Sequence, residues 1–449
     1  MNIGSAWNRW AVSGLGGALA VTVALGASAA PARAESRSIT ICWADWDPAY
    51  GLKEISREFT RKTGIATRFD LVPWTNFTGT FLNVLNSHDD RCDVLIGDSQ
   101  WIGTAATAGH YVKLNDFLKK AGIDMASFLP STIEGYSTWP KGSKNYWALP
   151  AMGDALGWTY RKDWFARPDL RAAFKQAHGY DLAVPRNWNE LRDMARFFQG
   201  RTIDGRKRYG AAIYTERASE GITMGVTSAL YAWGFQYANP QRPYDMMGYV
   251  NSPAAVEALE FYKSLYDCCT PPGHADSYME GNLESFKRGD VALQMNFFAF
   301  FPGIARDKNV GPVSGFFANP PQKARGSTLG GQGMSIVAYS RKQDLAKEDI
   351  KWFADAEVQE KWWRAGGFSC HKKILGAAGF DQSAPFAAEF LKAMENVKDF
   401  WQEPSYTKLL KAMQARVHDY VVGGKGSAKE ALDKLVADWR VVFEDEGKL

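Results

Sequence analysis

Three short stretches set an indole beside hydrogen-bonding side chains: Ala44-Asp45-Trp46-Asp47, Trp74-Thr75-Asn76 and Gly97-Asp98-Ser99-Gln100-Trp101. An indole offers a flat apolar face, and carboxylates and amides offer directed acceptors and donors. Asp45, Asp47, Asp98, Asp154 and Glu216 leave two chemistries open. A converging pair of carboxylates can hydrolyse a glycosidic bond, or the acids can accept hydrogen bonds from sugar hydroxyls and do no chemistry. Other chemistries lack their residues. Gly97-Asp98-Ser99-Gln100-Trp101 starts like a nucleophile elbow, but its fifth position is Trp where the sharp turn needs Gly. Gly330-Gly331-Gln332-Gly333 has no Lys-Ser or Lys-Thr after it and is not a phosphate loop. The six His residues are scattered without H-E-x-x-H, and no C-x-x-C occurs. Neither a metal site nor a cofactor is therefore expected.

The elements that must position these groups follow a regular order. Ser38–Trp43 reads as a strand, Tyr50–Thr63 as a helix ended by Gly64, and Thr67–Val72 as a strand stopped by Pro73. Asn76–Leu85 is helical, and Asp93–Ile96 is an apolar run typical of a parallel strand buried on both faces. This β-α-β-α-β order predicts a doubly wound α/β sheet, in which ligands bind beyond the carboxyl ends of the strands. Each of the three indole stretches falls at such an end. Downstream, Tyr146–Pro150 and Ala155–Tyr160 look extended, and Trp188–Phe198 looks helical. Tyr209–Tyr214 is a strand leading to Glu216, Gly221–Trp233 is a helix, and Asp290–Met295 is a strand leading to Asn296. Val310–Phe317 and Gly333–Tyr339 are further strands, and the last hundred residues are mostly helical. Two α/β lobes joined by a hinge are the expected architecture.

The chain has 449 residues, enough for two or three domains, and 46% hydrophobic against 23% charged residues excludes disorder. With 53 basic and 49 acidic residues the net charge is only +4, too little to grip a nucleic-acid backbone. Arg9 precedes an apolar run from Ala11 to Ala30, and Ala32-Arg33-Ala34 forms a cleavage signal. Residues 1–34 therefore read as a secretory signal peptide, which places the mature protein in the periplasm. Five cysteines in an exported chain can oxidise, and the odd number leaves at least one unpaired. Cys42 and Cys92 fall in buried strands and read as small apolar fillers. Cys268 and Cys269 are adjacent, so one of them, taken as Cys269, is expected to pair with Cys370.

A longer pattern then emerges. Tyr146-Trp147-Ala148-Leu149-Pro150 leads through Asp154 into Trp158-Thr159-Tyr160-Arg161-Lys162-Asp163-Trp164-Phe165. This resembles the Y-G-L-P…L-x-Y-N-K-D-L-F segment of the family 1 extracellular solute-binding proteins, the carbohydrate receptors of ABC importers. Pro185-Arg186-Asn187-Trp188-Asn189-Glu190-Leu191 is similar to the family's P-x-T-W-x-E-L, and Asn251-Ser252-Pro253-Ala254-Ala255-Val256-Glu257-Ala258-Leu259 to its N-S-P-E-A-V-E-A-L. Glu284–Gly289 with Ala292-Leu293-Gln294, then Val358-Gln359 and Gly366-Gly367-Phe368, continue the resemblance in order. Arg161 replaces the family's asparagine, and the usual proline is missing around Cys370-His371.

The resemblance implies a maltose-binding-protein-like receptor with the type 2 periplasmic binding protein fold. It places residues 35–145 and 308–355 in an N-terminal lobe and 146–307 and 356–449 in a C-terminal lobe. It also implies a monomer that binds a sugar between its lobes, closes, and delivers it to the importer's membrane subunits without acting as an enzyme. Sugars have apolar C–H faces and a belt of hydroxyls, so a cleft needs aromatic platforms and rigid polar partners. The platform candidates are Trp46, Trp74, Trp101 and Trp233. The hydroxyl partners are Asp47, Asp98, Gln100, Asp154, Glu216, Asn296 and Gln332, with Asp154 favoured because it follows the first predicted lobe crossing. The competing reading of any one tryptophan is core packing, and of any one acid a helix cap or surface ion pair. A receptor for a polyol or glycerol phosphate is the alternative within the class, and a secreted carbohydrate-active enzyme the alternative outside it. A phosphate ligand calls for Arg or Lys at the cleft, whereas these strand ends carry acids.

Overall fold

A computed structural model describes residues 37–449, so the expected signal peptide lies outside the described residues. Strand β1 is Ser38–Ala44, a β-branched run with six of its seven residues buried. Helix α1 covers Asp47–Thr63. It starts earlier than the periodicity suggests because Pro48 suits a first turn that needs no N–H, and Gly64 ends it at φ 70°. Strand β2, Ala66–Val72, pairs parallel with β1 along its whole length. Helix α2, Trp74–Asn86, follows Pro73 directly and buries Phe77, Phe81, Val84 and Leu85. Strand β3, Val94–Asp98, is buried throughout and pairs parallel with β1.

Strand β4 runs unbroken from Leu149 to Arg161, merging two stretches that the sequence suggests are separate. Its first half pairs antiparallel with Leu329–Met334, and its second half pairs with Leu293–Phe297 and Ser314–Ala318. Gly153 does not break it, because it lies opposite Gly331 in the ladder. The nine-stranded sheet therefore runs β2, β1, β3, Ser327–Ile336, β4, Val291–Phe297 and Tyr209–Ala212, with Ser314–Ala318 and Val397–Lys398 paired off this path. Parallel α/β pairing recurs at both ends of the sheet.

The Ser327–Ile336 strand starts earlier than expected and absorbs Gly330, Gly331 and Gln332, since β3 and β4 bond it from both sides. Gly331 sits at φ +87°, and a Cβ there would overlap the Met152 carbonyl oxygen. Ser314–Ala318 begins later than expected because Gly311-Pro312-Val313 takes a single 3-10 turn. The C-terminal region holds the long helices Tyr406–Val421 and Ala428–Asp445, the second opened by a Ser427/Glu430 capping box. No described helix is long and apolar enough to cross a membrane.

The cysteine expectations need correction. Cys42 and Cys92 are not fillers but form a disulfide, because parallel pairing of β1 with β3 brings their Cα atoms to 5.7 Å. Cys268 pairs with its neighbour Cys269, and Cys370 is a free buried thiol. Cys269 ends the Pro253–Cys269 helix, whereas Cys370 packs beside Gly153 of β4, so the expected Cys269–Cys370 bridge does not form.

Candidate functional site

Parallel pairing in the order β2-β1-β3 brings the three indole-bearing ends together. Trp46 follows β1, Trp74 opens α2 after β2, and Asp98 and Gln100 follow along β3. Across from them stand Asp154 and Gly330, which are directly opposite in the β4 ladder. Glu220 and Met224 at the start of the Gly221–Ala232 helix, with Tyr278, Met279, Phe297, Leu329 and Gly331, complete one cavity. It is narrow, with about 20 Å³ of free space, room for roughly one water molecule.

Its aromatic wall is continuous. Trp46 and Trp74 have ring centroids 5.2 Å apart, Trp74 stacks on Phe77 at 5.1 Å, and Phe77 meets Trp101 at 5.0 Å. Trp101 therefore backs the wall and does not face the cavity. Trp46 also reaches Phe300 at 6.3 Å, beyond the end of the Val291–Phe297 strand.

The polar groups are only partly satisfied. Asp154 Oδ1 accepts from the Ala155 N–H at 2.8 Å and the Ala299 N–H at 3.2 Å. Burial nevertheless raises its pKa well above the ordinary carboxylate range. Burial lifts Asp98 to about 6, although the Ser99 hydroxyl and nearby N–H groups oppose the shift. Glu220 is raised by burial and then by the charge of Asp98, and the Tyr406 hydroxyl donates to it. Behind these, burial and then Asp98 push Asp399 up to about 7. Three buried atoms of cavity residues have no partner: Trp46 Nε1, Gln100 Oε1 and Tyr278 Oη. Left so, each costs about 1–3 kcal/mol.

Other expected site residues lie elsewhere, for identifiable reasons. Trp233 packs against Phe261 at 5.1 Å and Trp188 at 5.9 Å in the interior of its lobe. Asn296 Oδ1 accepts from the Tyr214 hydroxyl and its Nδ2 donates to the Met279 carbonyl, so it braces the wall from behind. Gln332 Oε1 accepts from Trp43 Nε1 at 2.8 Å. Asp47 is exposed and faces Arg306 at 3.5 Å. Glu216 is half-buried and raised to about 7 by burial and the charges of Asp276 and Glu280. Glu220, Met224, Tyr278, Met279, Phe297 and Leu329 escaped the sequence reading, since nothing local distinguishes them from core or cap residues. Among the described residues, no group of three His, Cys, Asp or Glu side chains is arranged to hold a metal ion.

Residues 44–360 match the family of bacterial extracellular solute-binding proteins. The chain belongs to that family. A probable ABC transporter-binding protein from Deinococcus radiodurans is 22% identical over 76% of this chain and 77% of its own length. Among solved structures, maltose-bound MalE3 of T. maritima superposes with a TM-score of 0.76 at 22% identity, covering 90% of this chain and 99% of that one. A solute-binding protein from Agrobacterium radiobacter in complex with ribitol gives 0.75 at 21% identity, covering 90% and 98%. These likenesses fix the two-lobed fold of this solute-binding protein.

Proposed function

We propose that this solute-binding protein captures a sugar or polyol in the cavity between Trp46, Trp74, Asp98 and Asp154 and hands it to the membrane subunits of an ABC importer. The observation that carries this reading is a set of unpartnered buried polar atoms beside two indole faces. A polyhydroxylated guest has the matching surface, with C–H faces for the rings and hydroxyls for Gln100, Tyr278 and the acids. The maltose and ribitol complexes of its structural relatives support the same class of ligand. The protein acts as an exported monomer, released into the periplasm by cleavage after residue 34, and it binds its ligand without turning it over.

The cavity is too narrow for a sugar, so the lobes part before a ligand enters and close around it. We take residues 35–145 as the core of one lobe and 146–307 with 356–449 as the other. Pairing of Ser314–Ala318 with the second half of β4 favours moving the return crossing from residue 308 to the Ser327–Ile336 strand. A thermal-shift screen against mono-, di- and trisaccharides and polyols tests the reading, because a ligand that prefers the native state raises the melting temperature. Stabilisation by at least one, with the sugar recovered unchanged, is expected. Turnover of the sugar, or no shift with any of them, overturns the proposal.

A further inference from the structure

We infer that the captured solute carries a protonated amine among its hydroxyls, an amino sugar or aminopolyol whose ammonium sits against Asp98 and Glu220. This rests on the sugar-receptor reading and narrows it.

The charges around the cavity are one-sided. Three carboxylates, Asp98, Asp154 and Glu220, line it, and no Lys, Arg or His does. Among the described residues, none of the three has an ion-pair partner. Asp154 is held by two backbone N–H groups, Asp98 by a hydroxyl and N–H groups, and Glu220 by a phenol. All of these partners are neutral. They hydrogen-bond the acids but do not cancel their mutual repulsion, which is felt between Asp98 and Glu220 and extends to Asp399. Lys141 acts on Asp399, but its ammonium donates to the Glu134 carbonyl. Without a counter-charge, burial pushes these acids toward their neutral forms; a bound cation would let them ionise against it, which neutral sugar hydroxyls do not do.

Two further atoms point to the same ligand. Gln100 is 2% exposed and Tyr278 8% exposed, and Gln100 Oε1 and Tyr278 Oη are unpartnered on the cavity wall. Gln100 Oε1 can only accept, and it joins three acid side chains that also accept once a cation lets them ionise. An ammonium brings three donors and a positive charge to such a set, and the faces of Trp46 and Trp74 favour a cation over a neutral group. The compensating cation is not a metal, because no three of the described acidic, His or Cys side chains are arranged to chelate one.

The test compares ligands of one skeleton that differ in a single substituent: D-glucose, N-acetyl-D-glucosamine and D-glucosamine. Cellobiose, diacetylchitobiose and chitobiose repeat the comparison at disaccharide size, and sorbitol against 1-amino-1-deoxysorbitol for polyols. Melting shifts and calorimetry on the mature protein at neutral pH are expected to show an amine binding about tenfold tighter than its neutral counterparts in at least one set. Asp98→Asn and Glu220→Gln, each alone, should weaken binding of the amine about tenfold more than binding of its neutral counterpart, which narrows or erases the preference. If neutral members bind as tightly as their amines in every responding set, the inference falls and the sugar-receptor reading stands. If no member of any set binds, the inference falls, and the sugar-receptor reading is decided by the wider thermal-shift screen. The ligand comparison uses the native protein, so it decides the matter even where a variant folds poorly.

Discussion

Asp154 gathers two N–H groups on one oxygen, from its own strand and from Ala299. Its loss removes a buried hydrogen-bond partner from the ligand. Asp154→Ala should weaken binding by about ten- to a hundredfold while circular dichroism still shows a folded protein; unchanged affinity would remove Asp154 from the site. Trp46 and Trp233 offer a paired comparison. Trp46→Ala should lose the ligand-induced melting shift. Trp233→Ala, in a packed interior, should cost about 3–5 kcal/mol of stability yet keep the shift. Asp98 supplies a pH prediction. Its ordinary pKa is near 4 and its folded one about 6, so the folded state holds a proton that the unfolded chain has lost. That contribution is lost as pH rises from about 4 to about 6. Denaturant melts should therefore show the native protein losing roughly 1–3 kcal/mol relative to Asp98→Asn across that window, and parallel curves would contradict the assignment. At this scale the sequence was only partly readable. Residue type marked Trp46, Trp74, Asp98, Gln100 and Asp154, but it cannot tell a cavity indole from Trp233, or a free amide from Gln332, whose oxygen is taken by Trp43.

Elements were more legible, because periodicity and stop signals act locally. The β1-α1-β2-α2-β3 order and its Gly64 and Pro73 boundaries follow from them. What the chain order hides is pairing between distant segments. The glycine-rich Gly330-Gly331-Gln332 stretch carries no strand signal but lies within a strand, because β3 and β4 bond it on both edges. Cys42 and Cys92 look like fillers until parallel pairing joins them. Gly331 carries the sharpest consequence. With φ at +87° and the Met152 carbonyl against its Cα, an added methyl has no room, and the atoms that must move are backbone. Gly331→Ala should destabilise by more than about 1 kcal/mol and weaken ligand binding, both measurable by thermal melts with and without sugar. A stable, fully binding variant would show that the β4 ladder yields at this point.

On the scale of the whole molecule, two lobes share one sheet, and their meeting place is walled by groups that sequence distance separates by up to some 280 residues, from Trp46 to Gly331. Glu220, Tyr278 and Phe297 reach that place only through the packing of segments distant along the chain, which is why local patterns did not mark them. A wider groove of about 760 Å³ opens elsewhere, between the Phe301–Arg306 helix and Trp363, Phe368 and Phe386, and offers a ligand a different aromatic surface. The crystal structure of the protein with the sugar or polyol that stabilises it most distinguishes the two. The account predicts ligand density enclosed by both lobes, stacked on Trp46 or Trp74 and hydrogen-bonded to Gln100, Asp154 and Tyr278. Density in the outer groove, with the inner cavity unchanged, would contradict it.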